Sequence, residues 1–529
     1  MQDLEYQYKF VAENIWRALN FQDRDLNSPS CGSFHYSYWR DKTSEFADAR
    51  FQEIAASAIL LAKDYEKFKH YKDIPSKSEL KNSFSLGLLN YSTIQYPEGC
   101  FDEWYKGERG IAATEFTSIA FGLAYIFAKD EMSEIDRNIL CSTLKKSGEW
   151  LSGKIDIPKA NHQAAIAAAL SIIAEVTGEK RFLDYADSAF DNLVTRQTDE
   201  KWFPEIGGFD LGYCSVLLDY SMLYFHFSKN DMHAQKITDL YEFLDENILP
   251  NNTIRNDVGS CLNPYLSRLG LLLHSKINPL AANRFNDINH FSLGIKGIES
   301  ILTDDLRFCR WSYLPLVAFK LSDSSKFPKE LVKHRKLNQI QTKIFPKAGI
   351  LIHKLKDLSF YCYSLNGGRI SIFLGKKLIY QDDDLTCYIS TKKYTNKGYQ
   401  ENNNIKYTKG VIEMDISLSI PDYFYPSMLQ RLILRIASIS KLGSKLIRRI
   451  IDKQRLKYKS AINQSSSSKI TSSNIKIKKI INIYNNKIII RIESDSIRME
   501  ADQMVLETNK EIIKTNSPVK NEIEIIIPY

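Results

Sequence analysis

The residues best placed for chemistry sit in polar, aromatic-rich runs at the ends of helical segments. WFPEIGGFDLGY (202–213) packs Trp202, Glu205, Asp210 and Tyr213 around three glycines, and Asn161-His162 stands at the head of an alanine-rich run. GCFDEWY (99–105), followed by Glu108 and Arg109, adds Asp102, Glu103 and Trp104, and GSFHYSYWR (32–40) adds a fourth such loop. Aromatic faces stack on sugar rings, and carboxylates that face each other at roughly 5–10 Å can hydrolyse a glycosidic bond. Asp102, Glu103, Glu205 and Asp210 are the carboxylates in question. Structural alternatives stand beside these readings. Asn161 could cap a helix with His162 exposed in its first turn, Asp210 could cap the next, and the aromatic loops could wrap a helical core.

Positioning falls to the intervening elements. Apolar residues recur at helical spacing from about residue 46 to 322, as in 49–65, 117–129, 162–178, 214–229 and 234–249. The helices come as pairs, 162–178 with 181–195 and 214–229 with 234–249. Corresponding helices recur about every 50 residues, the spacing of stacked helical hairpins in an open solenoid or a closed toroid. Asn161 and Tyr213 lie 52 positions apart at equivalent hairpin ends. Stacking would bring both to one face.

Beyond about residue 340 the pattern changes. Runs rich in Ile, Val, Tyr and Thr (348–366, 369–381, 410–420, 474–494, 521–529) alternate between Asn, Gly and Asp turns and predict antiparallel sheet. Two insertions interrupt them. One is a basic amphipathic helix over 427–459, with a possible break at Gly443, and the other is a Ser-rich loop over 460–473. The expected division is residues 1–335 and 336–529.

Composition sets outer bounds. The 529 residues are 44% hydrophobic and 25% charged, which describes a folded protein with more than one core. Aromatic residues reach 12%, which suits a sugar-stacking cleft and equally an aromatic core. Eight scattered cysteines without a CxxC pair read as free thiols, and the acidic start MQDLEYQYKF does not read as an export signal. No uninterrupted apolar run of about 18 residues predicts a transmembrane span. A cytoplasmic location is the expectation. The net charge of +8 is concentrated in 431–459, which carries ten Lys/Arg and one acid. That segment suits peripheral contact with anionic lipid at the inner membrane, or a helix packed on the fold with a solvated basic face. No nucleic-acid module accompanies the charge, and neither a nucleotide cofactor nor a metal is expected, because the corresponding motifs are absent from the sequence.

FDEWYKGERGIAATEF (101–116), ANHQAAIAAAL (160–170), WFPEIGGFDLGY (202–213) and GSFHYSYWRDKTSEFADARFQE (32–53), in that setting, resemble the heparinase II/III-like proteins of bacterial surface-polysaccharide loci. The resemblance implies an N-terminal α/α toroid of helical hairpins followed by an antiparallel β-sandwich. It also implies β-elimination next to a uronic acid. A base removes the proton α to the carboxyl group while an amide donor neutralises the carboxylate. By that resemblance Asn161 is the neutraliser, Tyr213 the base and acid, and His162 an assistant. Glu205, Trp202, Asp210, Glu103, Trp104, Arg109, Tyr265 and His290 would line the binding site for an acidic polysaccharide. Two departures stand out. The family's histidine-bearing segment at the start of the β domain has no histidine in 363–385, and the loop Gly259–Tyr265 lacks the family's arginine. The same resemblance leaves open a glycan-binding or assembly protein without catalysis.

Overall fold

A computed structural model describes residues 2–71, 73–263, 265–291, 304–322, 340–382, 386–389, 392–396, 398–400, 403–424, 426–457, 467–484, 487–493, 504–508, 511–515 and 521–526. After α1 (Gln2–Leu19), the longer helices come in consecutive pairs. These are α2 (Glu53–Lys63) and α3 (Lys77–Thr93), α4 (Ile111–Ala128) and α5 (Glu134–Leu151), α6 (Ala160–Thr177) and α7 (Arg181–Val194). Then follow α8 (Leu211–Ser228) and α9 (Ala234–Asn247), α10 (Leu269–His274) and α11 (Pro279–Phe291), α12 (Asp305–Trp311) and α13 (Tyr313–Leu321).

The two members of a pair differ in how their sequence meets the core. Helix α6 is apolar on all sides and buried almost throughout. Helix α7 buries only Phe182, Ala186, Ala189, Phe190 and Leu193, one stripe at helical spacing. Local signals set the ends. A Ser133–Asp136 capping box starts α5, and Gly178 closes α6 in the left-handed region. Helix α4, with its extension to Glu131, is long and apolar enough to cross a membrane, but 78% of that window is buried within the protein. The buried helices pack in order, α2 on α4, α4 on α6, α6 on α8 and α8 on α10, while α13 touches both α10 and α2.

The β domain has a five-stranded antiparallel sheet in the order β1 to β5, from Gln341–Phe345 to Lys377–Gln381. The remaining strands are β6 (Thr386–Ile389), β7 (Lys392–Thr395), β8 (Asn404–Thr408), β9 (Val411–Phe424), β10 (Ser467–Ile483), β11 (Lys487–Glu493), β12 (Met504–Thr508), β13 (Glu511–Thr515) and β14 (Asn521–Ile526). A second, seven-stranded sheet runs β14-β11-β10-β9-β7-β6 with β8 also on β9, and β12 pairs with β13 alone. Alternation along β3 (Leu358–Tyr363) sorts its side chains between two cores. Phe360 and Cys362 join the cluster shared with Ile412, Met414 and Ile481 of the second sheet, while Tyr361 and Tyr363 join the helical core. The first sheet is therefore covered on both faces, which explains why β3 is buried along its whole length. Buried polar pairs reinforce this junction. Arg255 donates to the carbonyl of Ile370 at 2.6 Å and pairs with Asp257, and Lys479 pairs with Asp382 beside it.

Two expectations need correction, and a third falls outside the described residues. Half of the predicted Ser-rich loop is strand: residues 467–472 pair with 419–424 in β10, because backbone hydrogen bonding to β9 overrides the serine composition. Its remainder, 460–466, lies outside the described residues. The basic segment is two helices, α14 (Met428–Ser438) and α15 (Lys441–Lys457), and the break falls at Ile439-Ser440 with Gly443 inside α15. The 335/336 boundary falls in residues outside those described. The seven cysteines whose side chains are described are free thiols, as expected.

Candidate functional site

Helices α4, α6 and α8 begin at one end of the helical domain, and the loops before them carry the polar residues. Between α7 and α8, Glu205 and Gly208 form a two-residue hairpin whose central Ile206 and Gly207 have φ of 49° and 82°. A turn with positive φ at both centres suits Gly207 and strains the β-branched Ile206. Ile206 is held there by donating its amide to the carbonyl of Pro158 at 2.6 Å. The turn delivers Glu205 to the start of α6. Its Oε1 accepts from the backbone amide of Asn161 at 2.6 Å and from Asn161 Nδ2 at 2.7 Å. Lys159 is the N-cap residue of α6, so Asn161 does not cap and instead sits in the first turn.

His162 is buried, not exposed. Its Nδ1 lies 3.2 Å from Asp156 and 3.3 Å from Glu115. Burial, with the charges of Lys159 and Arg448, pushes the imidazole down to about 4, so it is neutral near pH 7. Burial works against ionisation of Asp156 as well, but the hydrogen bond from His162, with the charges of Lys159 and Arg448, holds it below the usual carboxylate range. Glu115 goes the other way, well above that range, through burial and the neighbouring charge of Asp156. Burial also raises Glu205, to about 8. The site thus sets a readily ionised Asp156 beside Glu115 and Glu205, two carboxyls that burial makes harder to ionise.

A second charged group adjoins the first. Glu103 lies 2.9 Å from Arg310 and 3.9 Å from Arg50, and Arg50 stands over the ring of Phe116 at 4.3 Å. Arg310 also holds Asp48 at 2.8 Å. Across both groups, Glu103 Oε2, both Glu115 oxygens, Asn161 Oδ1 and Glu205 Oε2 are buried without a hydrogen-bond partner among the described residues. Most buried polar atoms in folded proteins are paired, so a concentration of unpaired ones marks a place where a polar ligand would be accommodated.

The other expected site residues divide. Asp210 caps α8 through the amide of Tyr213 at 3.0 Å and takes the amides of Cys261 and Asn263 at 3.1 and 3.3 Å. Its role in the fold is therefore explicit, and burial raises it to about 7. Tyr213 is half-buried in the first turn of α8. Trp202 is buried against Phe209 and donates to Glu200 at 3.0 Å. Tyr265 is stacked on Trp311 at 4.9 Å, inside the core. Trp104 is 64% exposed and free to meet a ligand. Arg109 adopts φ 50° with its amide on Asp102 and its guanidinium over Tyr96 at 4.4 Å. His290 lies in α11, but its side chain is outside the described part. No cluster of metal-binding side chains occurs among the described residues.

Lys159, Asp156, Glu115, Arg50, Arg310 and Arg448 complete the site and were not singled out from sequence. Lys159 and Asp156 adjoin Asn161 in the chain, which was the available signal. Arg50, Arg310 and Arg448 come from distant segments, and nothing in the sequence tied them to Asn161. The β domain closes over this end. Asn366 exchanges two hydrogen bonds with Gly259, at 3.0 and 3.1 Å, and Ser260 donates to the carbonyl of Glu205. A Cβ on Gly208 would collide with the ring of Tyr399, so only glycine allows the approach.

No protein-family model matches the sequence, and no curated protein matches it. Solved structures do match. Xanthan lyase from Paenibacillus has a TM-score of 0.55 at 10% identity, over 96% of this chain and 46% of that one. Chondroitin AC lyase from Streptomyces coelicolor A3, solved with chondroitin sulphate, has a TM-score of 0.54 at 10% identity, over 95% of this chain and 67% of that one. Heparinase III is a weaker match, with a TM-score of 0.43 at 8% identity over 93% and 80%. This chain spans just under half the length of the xanthan lyase. The likeness shows a polysaccharide-lyase fold, a helical domain joined to an antiparallel β domain.

Proposed function

We propose that this protein is a lyase acting by β-elimination on an acidic, uronate-containing glycan, linked to bacterial capsule or O-antigen metabolism. One observation carries the reading. Asn161 and Tyr213 occupy the first turns of two packed helices at one end of the domain, and Asn161 already holds a carboxyl oxygen through two N–H donors. A uronate carboxylate needs the same donors, reinforced by the positive end of the α6 dipole. Glu205 occupies them in this structure, so substrate would displace its side chain. Tyr213, half-exposed in the first turn of α8, would take the C5 proton and return one to the leaving oxygen.

The order of helix packing, with α13 touching both α10 and α2, supports a closed α/α toroid, and the core shared by the two sheets supports a β-sandwich. A cytoplasmic position at the inner membrane belongs to the same proposal, since glycan intermediates are available there before export. A hydrolase reading is weakened because its carboxylates have other partners. Asp102 takes Tyr96 and two backbone amides, Asp210 caps α8, and Glu103 pairs with Arg310. Binding without catalysis is the second reading, favoured by the burial of Asn161, His162 and Glu205.

Elimination leaves a conjugated double bond, so incubation with uronate polymers should raise ultraviolet absorbance. Tyr213→Phe and Asn161→Ala should each abolish the rise while leaving the fold intact by circular dichroism. Retained activity in both variants removes the residue assignment. Glycan retention on an affinity gel without any rise selects the binding reading.

A further inference from the structure

The α14–α15 hairpin leaves the β domain between β9 and β10 but docks on the helical domain. Ser444 bonds the carbonyl of Gly107, Lys441 lies 3.3 Å from Glu98, and Arg448 lies 3.3 Å from Asp156. A Cβ on Gly107 would strike the carbonyl of Ser438, so the loop and the hairpin fit closely. What is turned inward is two serines and one isoleucine: Ser438, Ser444 and Ile447 are buried.

The apolar residues face the other way. On α14, Leu429, Leu432, Ile433 and Ile436 are 52–65% exposed, at helical spacing on one face. The stripe continues through Ile439, Leu442, Leu446 and Ile450, which are 49–80% exposed. A surface helix normally buries its apolar stripe in its own protein, so this hairpin is inverted. Between Met428 and Lys453 the chain has seven Lys/Arg and one acid. Arg431, Lys445, Arg449 and Lys453 are exposed and make no ion pair among the described residues.

We infer that this hairpin seats the protein on an anionic lipid surface, its Leu/Ile stripe entering the acyl boundary and its cations meeting the headgroups. The charge decides between occupants. A second copy would set cation against cation, whereas phospholipid phosphates neutralise them, and an apolar face rimmed by Lys and Arg is the composition interfacial helices share. The hairpin's grip on Gly107 and Asp156 would place the candidate site close to that surface. The inference is independent of the lyase reading, because lipid binding is measured without glycan.

Full-length protein should float with vesicles of phosphatidylcholine and phosphatidylglycerol, should not float with phosphatidylcholine alone, and should be released by high salt. Leu432→Glu with Leu446→Glu changes only exposed positions and should weaken flotation by about tenfold or more. Lys445→Glu with Arg449→Glu should weaken it at low salt. Failure of the wild type to float with anionic vesicles at low salt overturns the inference, and so does equal flotation of the apolar double variant. A dimer in sedimentation equilibrium that the apolar variant dissolves, with no flotation, assigns the stripe to a second copy instead.

Discussion

Glu205 shows what a single buried carboxyl does to this protein. It accepts two hydrogen bonds from Asn161 through one oxygen, leaves the other buried and unpaired, and is raised to about 8 by burial. The folded state therefore keeps a proton that the unfolded chain has lost above about pH 4.3. Between those values the folded state binds more protons, so stability falls as pH rises from about 4.3 to 8. Glu53 and Asp219, raised to about 7 by burial, act in the same direction. Thermal melts from pH 5 to 8 should show a falling midpoint, and Glu205→Gln should make the fall shallower. A midpoint rising across that window would contradict the protonation assignment.

At the scale of elements, the helix ends are where local sequence and long-range packing meet. Asp210 caps α8 and also gathers two amides from the 261–263 loop, all within the core, whereas Ser427 caps the solvent-exposed α14. Asp210→Ala should cost about 2–4 kcal/mol in urea unfolding, from a lost cap plus buried donors left unpaired. Ser427→Ala should cost about 1 kcal/mol or less. Comparable losses would mean that α14 is integral to the folded core. The helical hairpins were legible in the sequence because each has its own apolar period and turn. Asn161 and Tyr213 were legible for the same reason, since equal hairpin lengths bring equivalent ends together. The serines of 467–472 misled because strand β10 is held by backbone pairing with 419–424, a partner more than forty residues away. Likewise the break in the basic segment fell at Ile439-Ser440, where docking of Ser438 and Ser444 on Gly107 fixes the turn, and not at the glycine.

Across the whole molecule, charged groups buried between the domains tie them together. Asp382 pairs with Lys479 and lies 3.8 Å from Arg255, which itself reaches from the helical domain into the first sheet. Arg255 keeps Asp257, but removing Asp382 strands the buried charge of Lys479. Asp382→Ala should therefore destabilise by about 3–5 kcal/mol. It should also split a single unfolding transition into two, as followed by fluorescence and circular dichroism. A single unshifted transition would show that the apolar contacts alone couple the domains.

Sequence by itself determined the order of helical and β-rich parts, the pairing of helices, the free thiols and the polar loops at helix ends. Those properties reside in residues close together in the chain, where period, turn and cap act locally. Only the tertiary structure decided that Glu205 occupies the donors of Asn161, that Asp156, Glu115 and Lys159 surround His162, and that arginines 50, 310 and 448 converge on them. It also decided that the basic hairpin turns its apolar stripe outward. Burial, charge pairing and exposure are properties of segments far apart in the chain, and their balance is set only when the domains close on one another.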